Sequence, residues 1–108
     1  MNLEYVLALI TAPSNEVAKS IIDKLLQEKL AACVNIVSPV SSTYIWDDKI
    51  NNDSEVLLIC KTRADLFQNE FISAVKSVHP YDVPEIIALP ILMASQSYLD
   101  WIKEVTKT

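Results

Sequence analysis

The stretch YVLALI at residues 5–10 is a continuous apolar run that is short enough to be a buried strand. A second run, EVLLICK at residues 55–61, predicts the third strand in chain order. Both alternating positions of these runs are apolar, as in a sheet that is covered on both faces. Because a small lone domain would leave one such face in water, the sequence predicts a closed homo-oligomer.

The elements between these two strands predict a helix and a hairpin. The segment TAP at residues 11–13 ends the first strand, and Ser14 is the predicted N-cap of a two-sided helix of about four turns. Residues 31–46 predict a long second strand with a bulge or bend near Pro39. The polar residues 47–53, which include an Asn51-Asn52-Asp53 turn, predict the connection to the third strand in an antiparallel hairpin.

The second half of the chain predicts a helix, a strand and a final helix. The segment TRAD at residues 62–65 resembles a capping box, and Pro80 is expected to end the helix that follows it. Residues 86–93 predict a fourth strand in which Pro90 marks an edge or a bulge. Residues 95–108 predict the last helix. Its buried stripe is predicted to contain Tyr98, Trp101, Ile102 and Val105.

The predicted order is β-α-β-β-α-β followed by a helix, within a single domain over residues 1–108. This is the α+β, ferredoxin-like pattern, with two helices on one face of a four-stranded sheet and the other face open. The open face is where the surplus of apolar residues would lie. Sheet-face packing or edge pairing between subunits would cover it.

Composition excludes several classes of function. A net charge of −5, with nine scattered basic residues, argues against a nucleic-acid partner. No apolar run approaches the ~20 residues of a membrane span, and residues 1–4 lack the basic region of a signal peptide, so we expect a cytoplasmic protein without a membrane partner. The absence of glycine removes the phosphate-binding glycine loops. Cys33 and Cys60 are expected to be buried free thiols, with a disulfide or metal pair as the alternative.

The candidate functional residues come from one loop and two strands. His79 opens HPYDVPE at residues 79–85, which is either a rigid connection or a ligand or metal site in which imidazole and carboxylates bind a divalent cation. Tyr44 and Trp46 share one face of a strand, as core, interface or pocket wall. Lys61 is solvated, paired with an acidic residue (Glu55, Glu85 or Asp47), or bound to an anion.

Nothing in the sequence forms a complete catalytic set. No serine has a nucleophile-elbow context, and both cysteines are expected to be buried. Acid-base catalysis by His79 with Glu85 is the remaining enzymatic alternative. We therefore expect a protein that is not an enzyme.

Several ordered motifs, which together run from about residue 5 to residue 103, resemble the CutA family of divalent-cation tolerance proteins. The motifs are TAP at 11–13, LAACVNI at 30–36, YIWDDKI at 44–50, EV at 55–56, KT at 61–62, HPYDVPE at 79–85 and YLDW at 98–101. The resemblance implies a ferredoxin-like fold that assembles as a compact cytoplasmic homotrimer, similar in plan to the PII signalling proteins. It also implies binding of copper or other divalent cations and a contribution to the response to metal ions.

The resemblance also implies where the site lies. It clusters six residues near a cleft between subunits: Tyr44, Trp46, Lys61, His79, Tyr81 and Glu85. His79 is the implied metal ligand, and no cofactor is expected to be required for folding. The alternative is a PII-like regulatory or scaffold trimer that binds a small anion or metabolite in the cleft.

Two departures from the family pattern bear on these expectations. The copper site of some bacterial members uses a cysteine and a second histidine where this chain has Ile10 and Val78, so only His79 remains. The usual glycine of the hairpin turn is replaced by Asp48. Because Asp tolerates the left-handed conformation at modest cost, we expect the turn to persist.

Overall fold

The computed structural model describes residues 3–108 and contains the elements in the predicted order. The strands are β1 (Tyr5–Ala12), β2 (Cys33–Trp46), β3 (Lys49–Arg63) and β4 (Ile86–Pro90). The helices are α1 (Asn15–Gln27), α2 (Ala64–Leu66), which continues through a π-helical turn (Phe67–Phe71) into α3 (Ile72–Val78), and α4 (Gln96–Val105). None of the helices in this part of the chain combines the length and apolarity that a bilayer crossing requires.

The four strands form one antiparallel sheet in the order β2-β3-β1-β4. The two doubly apolar runs are therefore the central strands, which explains why both of their faces are apolar. Helices α1 and α3 pack against one face and enclose the core with it. The core contains Ala8, Ile10, Ile21, Leu25, Leu58, Cys60, Phe71 and Val75.

The first helix begins and ends where local chemistry requires. The Ser14 hydroxyl accepts a hydrogen bond from the Val17 N–H at 3.2 Å, which confirms the predicted N-cap. The helix ends because Lys29 takes a left-handed conformation, with φ of 57°. The Leu30 N–H then donates to the Leu25 carbonyl at 2.8 Å, which satisfies a terminal carbonyl and turns the chain towards β2.

The hairpin turn is two residues long, so the prediction of a turn at Asn51-Asn52-Asp53 is wrong. Asp47 and Asp48 form the turn with φ of 55° and 59°, the left-handed values that a two-residue hairpin loop needs. Asn51 and Asn52 lie within β3 instead. The Asn52 amide donates across the hairpin to the Thr43 hydroxyl at 2.8 Å, which explains polar residues inside a strand. The bend near Pro39 is confirmed as a register shift between Val37 and Val40.

The prediction of a capping box at residues 62–65 is also wrong. Arg63 is the N-cap of α2, and no side chain caps this helix. The Thr62 hydroxyl donates to the Leu30 carbonyl at 2.6 Å instead, because Thr62 is a buried residue of β3. Pro80 does end the helical segment, since α3 stops at Val78 and His79 is extended.

The last strand and helix are shorter than predicted. Strand β4 stops at Pro90 rather than residue 93, and the Ile91 N–H makes a last hydrogen bond to the Tyr5 carbonyl at 3.0 Å. Helix α4 ends at Val105, and only Ile102 of its predicted stripe is fully buried. Tyr98 and Trp101 remain exposed over more than a third of their surfaces, so the prediction of a wholly buried stripe is wrong. Helix α4 lies across one end of the sheet, where Tyr98 is beside Cys33.

No other part of residues 3–108 covers the rest of the face opposite α1 and α3, and we call it the open face. Leu9, Leu57 and Ile87 lie on it in three neighbouring strands, because the residues next to them in sequence point into the core. Ile87 and Leu89 are about half exposed in the isolated chain. The expected uncovered apolar face is thus present, reduced at one end by α4.

The two cysteines are free thiols, as predicted, and they lie on opposite faces of the sheet. Cys60 pairs in register with Val34, whereas Cys33 pairs with Lys61, so the thiols cannot form a disulfide with each other. Burial raises the pKa of Cys60 to about 12. Cys33 is only partly buried, which corrects the expectation that both thiols are buried.

Arg63 anchors the chain end that follows α4. Its side chain is buried, and it donates to both carboxylate oxygens of Asp65 at 3.0 and 2.7 Å. It also donates to the Thr106 hydroxyl at 3.2 Å and to the Lys107 carbonyl. Hydrogen bonds to a buried cation are stronger than neutral ones, so this residue holds α4 to β3.

We expect Arg63→Met to lower the free energy of unfolding by about 2 kcal/mol in urea denaturation, because four charge-assisted hydrogen bonds are lost. The control is Lys103→Met, which removes an exposed ion pair of 3.8 Å and should cost less than about 0.5 kcal/mol. The Arg63 hydrogen bond lowers the pKa of Asp65 from its ordinary 3.8. The contribution of ionised Asp65 to stability is therefore complete above pH 3.8, and it is lost as the pH falls through the lower pKa of the folded state. Equal effects of the two substitutions would contradict an anchoring role.

Candidate ligand-binding groove

A groove of about 740 Å³ lies between the outer half of the β2–β3 hairpin and the loop at residues 79–85. It is lined by Thr11, Ser41, Ser42, Thr43, Tyr44, Trp46, Glu55, Tyr81, Asp82, Val83 and Glu85. Four of the six residues predicted for a cleft are among these: Tyr44, Trp46, Tyr81 and Glu85. The structure therefore brings them to one place, and His79 and Lys61 lie outside the lining.

Tyr44 and Trp46 form the hairpin wall of the groove. They are two residues apart in β2, so their side chains leave the same face of the strand. The Tyr44 hydroxyl donates to the Asp53 carboxylate across the hairpin, and this hydrogen bond raises the pKa of Tyr44. Most of the Trp46 side chain is exposed. Of the alternatives for this pair, the pocket wall is the one that the geometry favours.

Tyr81 forms the loop wall of the groove, and it reaches Glu55, which lies on β3. The Tyr81 hydroxyl donates to one carboxylate oxygen of Glu55, Oε2, at 3.0 Å. Partial burial and this hydrogen bond raise the pKa of Tyr81 to about 12, so its hydroxyl stays protonated and remains a donor. Glu55 is only 8% exposed, which is unusual for a carboxylate. No local pattern predicts the place of Glu55 in the groove, because its contact with Tyr81 joins residues 26 positions apart.

His79 supports the loop from behind the groove. Its ring is buried, and Nε2 lies 2.8 Å from the Thr11 carbonyl oxygen. Nδ1 accepts the Tyr81 backbone N–H at 3.2 Å. A carbonyl only accepts and an N–H only donates, so the ring is neutral with its proton on Nε2. The His79 and Tyr81 rings also pack together, with their centroids 4.8 Å apart.

Both ring nitrogens of His79 are thus occupied within the chain. A metal ion at His79 would have to replace one of these hydrogen bonds. Within residues 3–108, no three His, Cys, Asp or Glu side chains are arranged to hold a metal ion. Acid-base catalysis by His79 with Glu85 would require the same exchange of partners.

Lys61 lies on the open face, away from the groove. Its neighbours in register are Leu7 of β1 and Cys33 of β2, and its ammonium donates to the Asn35 side-chain oxygen. The structure therefore gives Lys61 an amide partner rather than Glu55, Glu85 or Asp47. Without Lys61, the charged residues that line the groove are Glu55, Asp82 and Glu85, all acidic.

The structure defines a class of protein: a four-stranded antiparallel α+β domain that combines an open apolar face with an acidic, aromatic groove. The family comparison narrows this class. The model of the CutA1 divalent ion tolerance protein family matches residues 6–105, and the chain belongs to this family.

Relatives in bacteria, plants and animals agree with this assignment. The chain is 49% identical over 98 residues to the divalent-cation tolerance protein CutA of Thermus thermophilus, covering 91% of this chain and 94% of that protein. It is 46% identical over 102 residues to the chloroplastic protein CutA of Arabidopsis thaliana, covering 94% of this chain. The chain spans 56% of the Arabidopsis protein and 56% of the human protein CutA, to which it is 43% identical.

Solved structures of the family have the same fold. The divalent cation tolerance protein of Thermus thermophilus superposes with a TM-score of 0.92 at 47% identity and covers 95% of this chain and 99% of its own. CutA1 from a psychrotrophic Shewanella superposes with a TM-score of 0.95 at 36% identity, with complete coverage of both chains. The names of these proteins describe tolerance of divalent ions and no reaction.

Proposed function

We propose that the chain is a ferredoxin-like subunit of a compact homotrimer that binds copper or other divalent metal ions and contributes to the response to metal ions. The observation that carries assembly is the open face, where half-exposed Ile87 and Leu89 continue a patch of apolar side chains. A closed ring of three copies would remove this patch from water. The family name supports the tolerance role.

The metal site of this proposal combines His79 with carboxylates of the groove. Imidazole and carboxylate are suitable ligands for borderline divalent cations, and the groove lined by Tyr81, two residues after His79, has Glu55, Asp82 and Glu85 as its charged residues. Rotation of the Tyr81 backbone would free Nδ1 of His79 for a metal ion. A single histidine with water and carboxylates gives weak binding, and no metal is needed to complete the fold.

We expect isothermal titration to detect weak copper binding and His79→Gln to lower the affinity about tenfold. Gln is the matched substitution because its amide can still donate to the Thr11 carbonyl, which keeps the loop in place. Zinc is titrated in parallel, and circular dichroism confirms that the variant is folded. Equal, weak binding by both proteins would contradict a specific site at His79.

A second function has support from the groove itself. Its volume is within the range of small-molecule sites, and the aromatic walls and few polar groups are typical of them. A PII-like regulatory or scaffold trimer that binds a small ligand in this groove is therefore our alternative. In this function the ligand contacts Tyr44, Trp46, Tyr81 and Glu85. Lys61 lies too far from the groove to contact a ligand bound there in the same chain.

For both functions we propose a cytoplasmic protein that is not an enzyme. The groove offers carboxylates and protonated phenols, and both nitrogens of the nearby histidine are held by backbone groups. Acid-base chemistry needs a group that can exchange a proton with a bound substrate. The tolerance names of the relatives support the same reading.

A further inference from the structure

The groove has the surface chemistry of a cation site. Tyr44 and Trp46 on one wall and Tyr81 on the other present aromatic rings that are partly exposed. Its charged lining residues are all carboxylates, and among the described residues no Lys or Arg lines it. Aromatic faces attract cations through the negative charge of their π systems, and carboxylates repel anions.

Glu55 adds an independent indication of a ligand. More than nine-tenths of this residue is buried, which a carboxylate tolerates only when it is well hydrogen-bonded. An ionised carboxylate offers about four acceptor positions, yet within residues 3–108 its one hydrogen bond is the one from Tyr81 to Oε2. Its other oxygen, Oε1, has no hydrogen bond within these residues and is therefore accessible, since none of their side-chain polar atoms is both buried and unpaired. A positively charged donor would occupy the acceptor positions of Glu55 that the chain itself leaves unused.

We infer that the groove binds a small organic cation that carries amine groups, with Glu55 as the charged anchor and Trp46 and Tyr81 as the aromatic walls. This inference deepens the small-molecule function proposed above, on which it rests, and it replaces the anion expected from Lys61 with a ligand of opposite charge. An amine suits the site better than a metal ion. The carboxylates are spread along the groove and do not converge in a set of three.

The size of the groove supports the same class of ligand. A volume of about 740 Å³ exceeds what a single ion with its waters needs and fits an extended molecule of drug-like size. An extended polyamine could place one ammonium at Glu55 and others near Asp82 and Glu85. Its methylene groups would lie along the aromatic walls, which a hydrated metal ion cannot do.

Spermidine is the probe for the test, with the full chain in its native assembly. We expect binding by isothermal titration in EDTA, and no comparable heat from sodium chloride at matched ionic strength. Trp101→Phe leaves Trp46 as the sole tryptophan, so a change in its fluorescence on adding spermidine reports occupation of the groove. Citrate is titrated in parallel as an anionic probe.

Three variants locate the binding. Glu55→Gln keeps the shape and an acceptor for Tyr81 but removes the charge, and should weaken spermidine binding about tenfold. Trp46→Leu should weaken it about fivefold by removing an aromatic wall. Asp48→Asn is the matched control, because it removes one negative charge near the hairpin tip outside the lining, and should change the affinity less than about twofold.

The outcomes separate this inference from the function on which it rests. Citrate binding without spermidine binding would overturn the cationic class and leave the small-molecule function standing. Equal loss in Asp48→Asn and Glu55→Gln would reduce the effect to general charge attraction and overturn the site. Absence of binding by both probes would overturn both, as would a solution structure in which a neighbouring copy fills the groove. The trimer itself is measured separately by solution mass.

Discussion

Ile87→Glu is expected to convert the assembled protein into a folded single chain, so that the solution mass falls from about three times 12.1 kDa to 12.1 kDa. The position lies on the open face, in register with Leu9, and is 48% exposed in the isolated chain. A carboxylate there remains partly solvated in the monomer, so the fold should survive. Buried at a subunit interface without a partner, the same charge would cost several kcal/mol.

Light scattering after size exclusion measures this mass for the wild type and the variant. Leu26→Glu is the matched control, because Leu26 is 42% exposed but lies on α1, on the other side of the sheet. It places the same charge at a similarly exposed leucine and should leave the assembly intact. A wild-type protein with the mass of one chain, or an Ile87→Glu protein that keeps the mass of three, would contradict assembly through the open face.

The hairpin tip gives a second reason to expect assembly. Ile45 and Ile50 face each other in register at the end of β2 and β3, and they are 76% and 80% exposed. A β-branched pair is favourable in a sheet mainly when neighbouring side chains pack on it. We call the outer part of the β2–β3 hairpin the arm. In an isolated chain the arm would leave this pair in water, whereas an arm that packs on a second subunit would bury the pair. The arm and the open face therefore support the same proposal by separate routes.

The central part of the fold could be predicted because the relevant signals are local. The apolar run at residues 5–10 is strand β1, and Ser14 caps the helix as its chemistry requires. The hairpin turn was misplaced because Asn, Asp and their neighbours all favour turns. Only the backbone shows that Asp47 and Asp48 take the left-handed conformation and that Asn51 belongs to the strand.

The site was predicted in part, and the errors have a geometric cause. Strand periodicity placed Tyr44 and Trp46 together. Lys61 and Glu55 also share a face of β3, but they are six positions apart along the strand, which is about 20 Å, so a pair between them could have been excluded from spacing alone. The partners of His79 could not be predicted, because the Thr11 carbonyl is 68 residues away in the sequence.

Phe71→Ala is expected to lower the free energy of unfolding by about 4 kcal/mol. Phe71 is the largest fully buried side chain among residues 3–108, and it ends the π-helical turn and belongs to the core cluster with residues of α1 and the sheet. Removing the ring loses its transfer free energy and leaves a cavity that a close-packed core fills only partly. Since a domain is stable by roughly 5–15 kcal/mol, this one change would use up much of the total.

Guanidinium unfolding at a fixed protomer concentration measures the difference, because assembly makes the midpoint depend on concentration. Phe67→Ala is the comparison, since that ring packs against Phe71 at 5.2 Å but is only partly buried, and should cost about half as much. A loss below about 1 kcal/mol in Phe71→Ala would mean that the π-helical turn rewinds and closes the cavity. In that case the helix would adjust to the loss of the ring, and Phe71 would not be the residue that fixes the helix against the sheet.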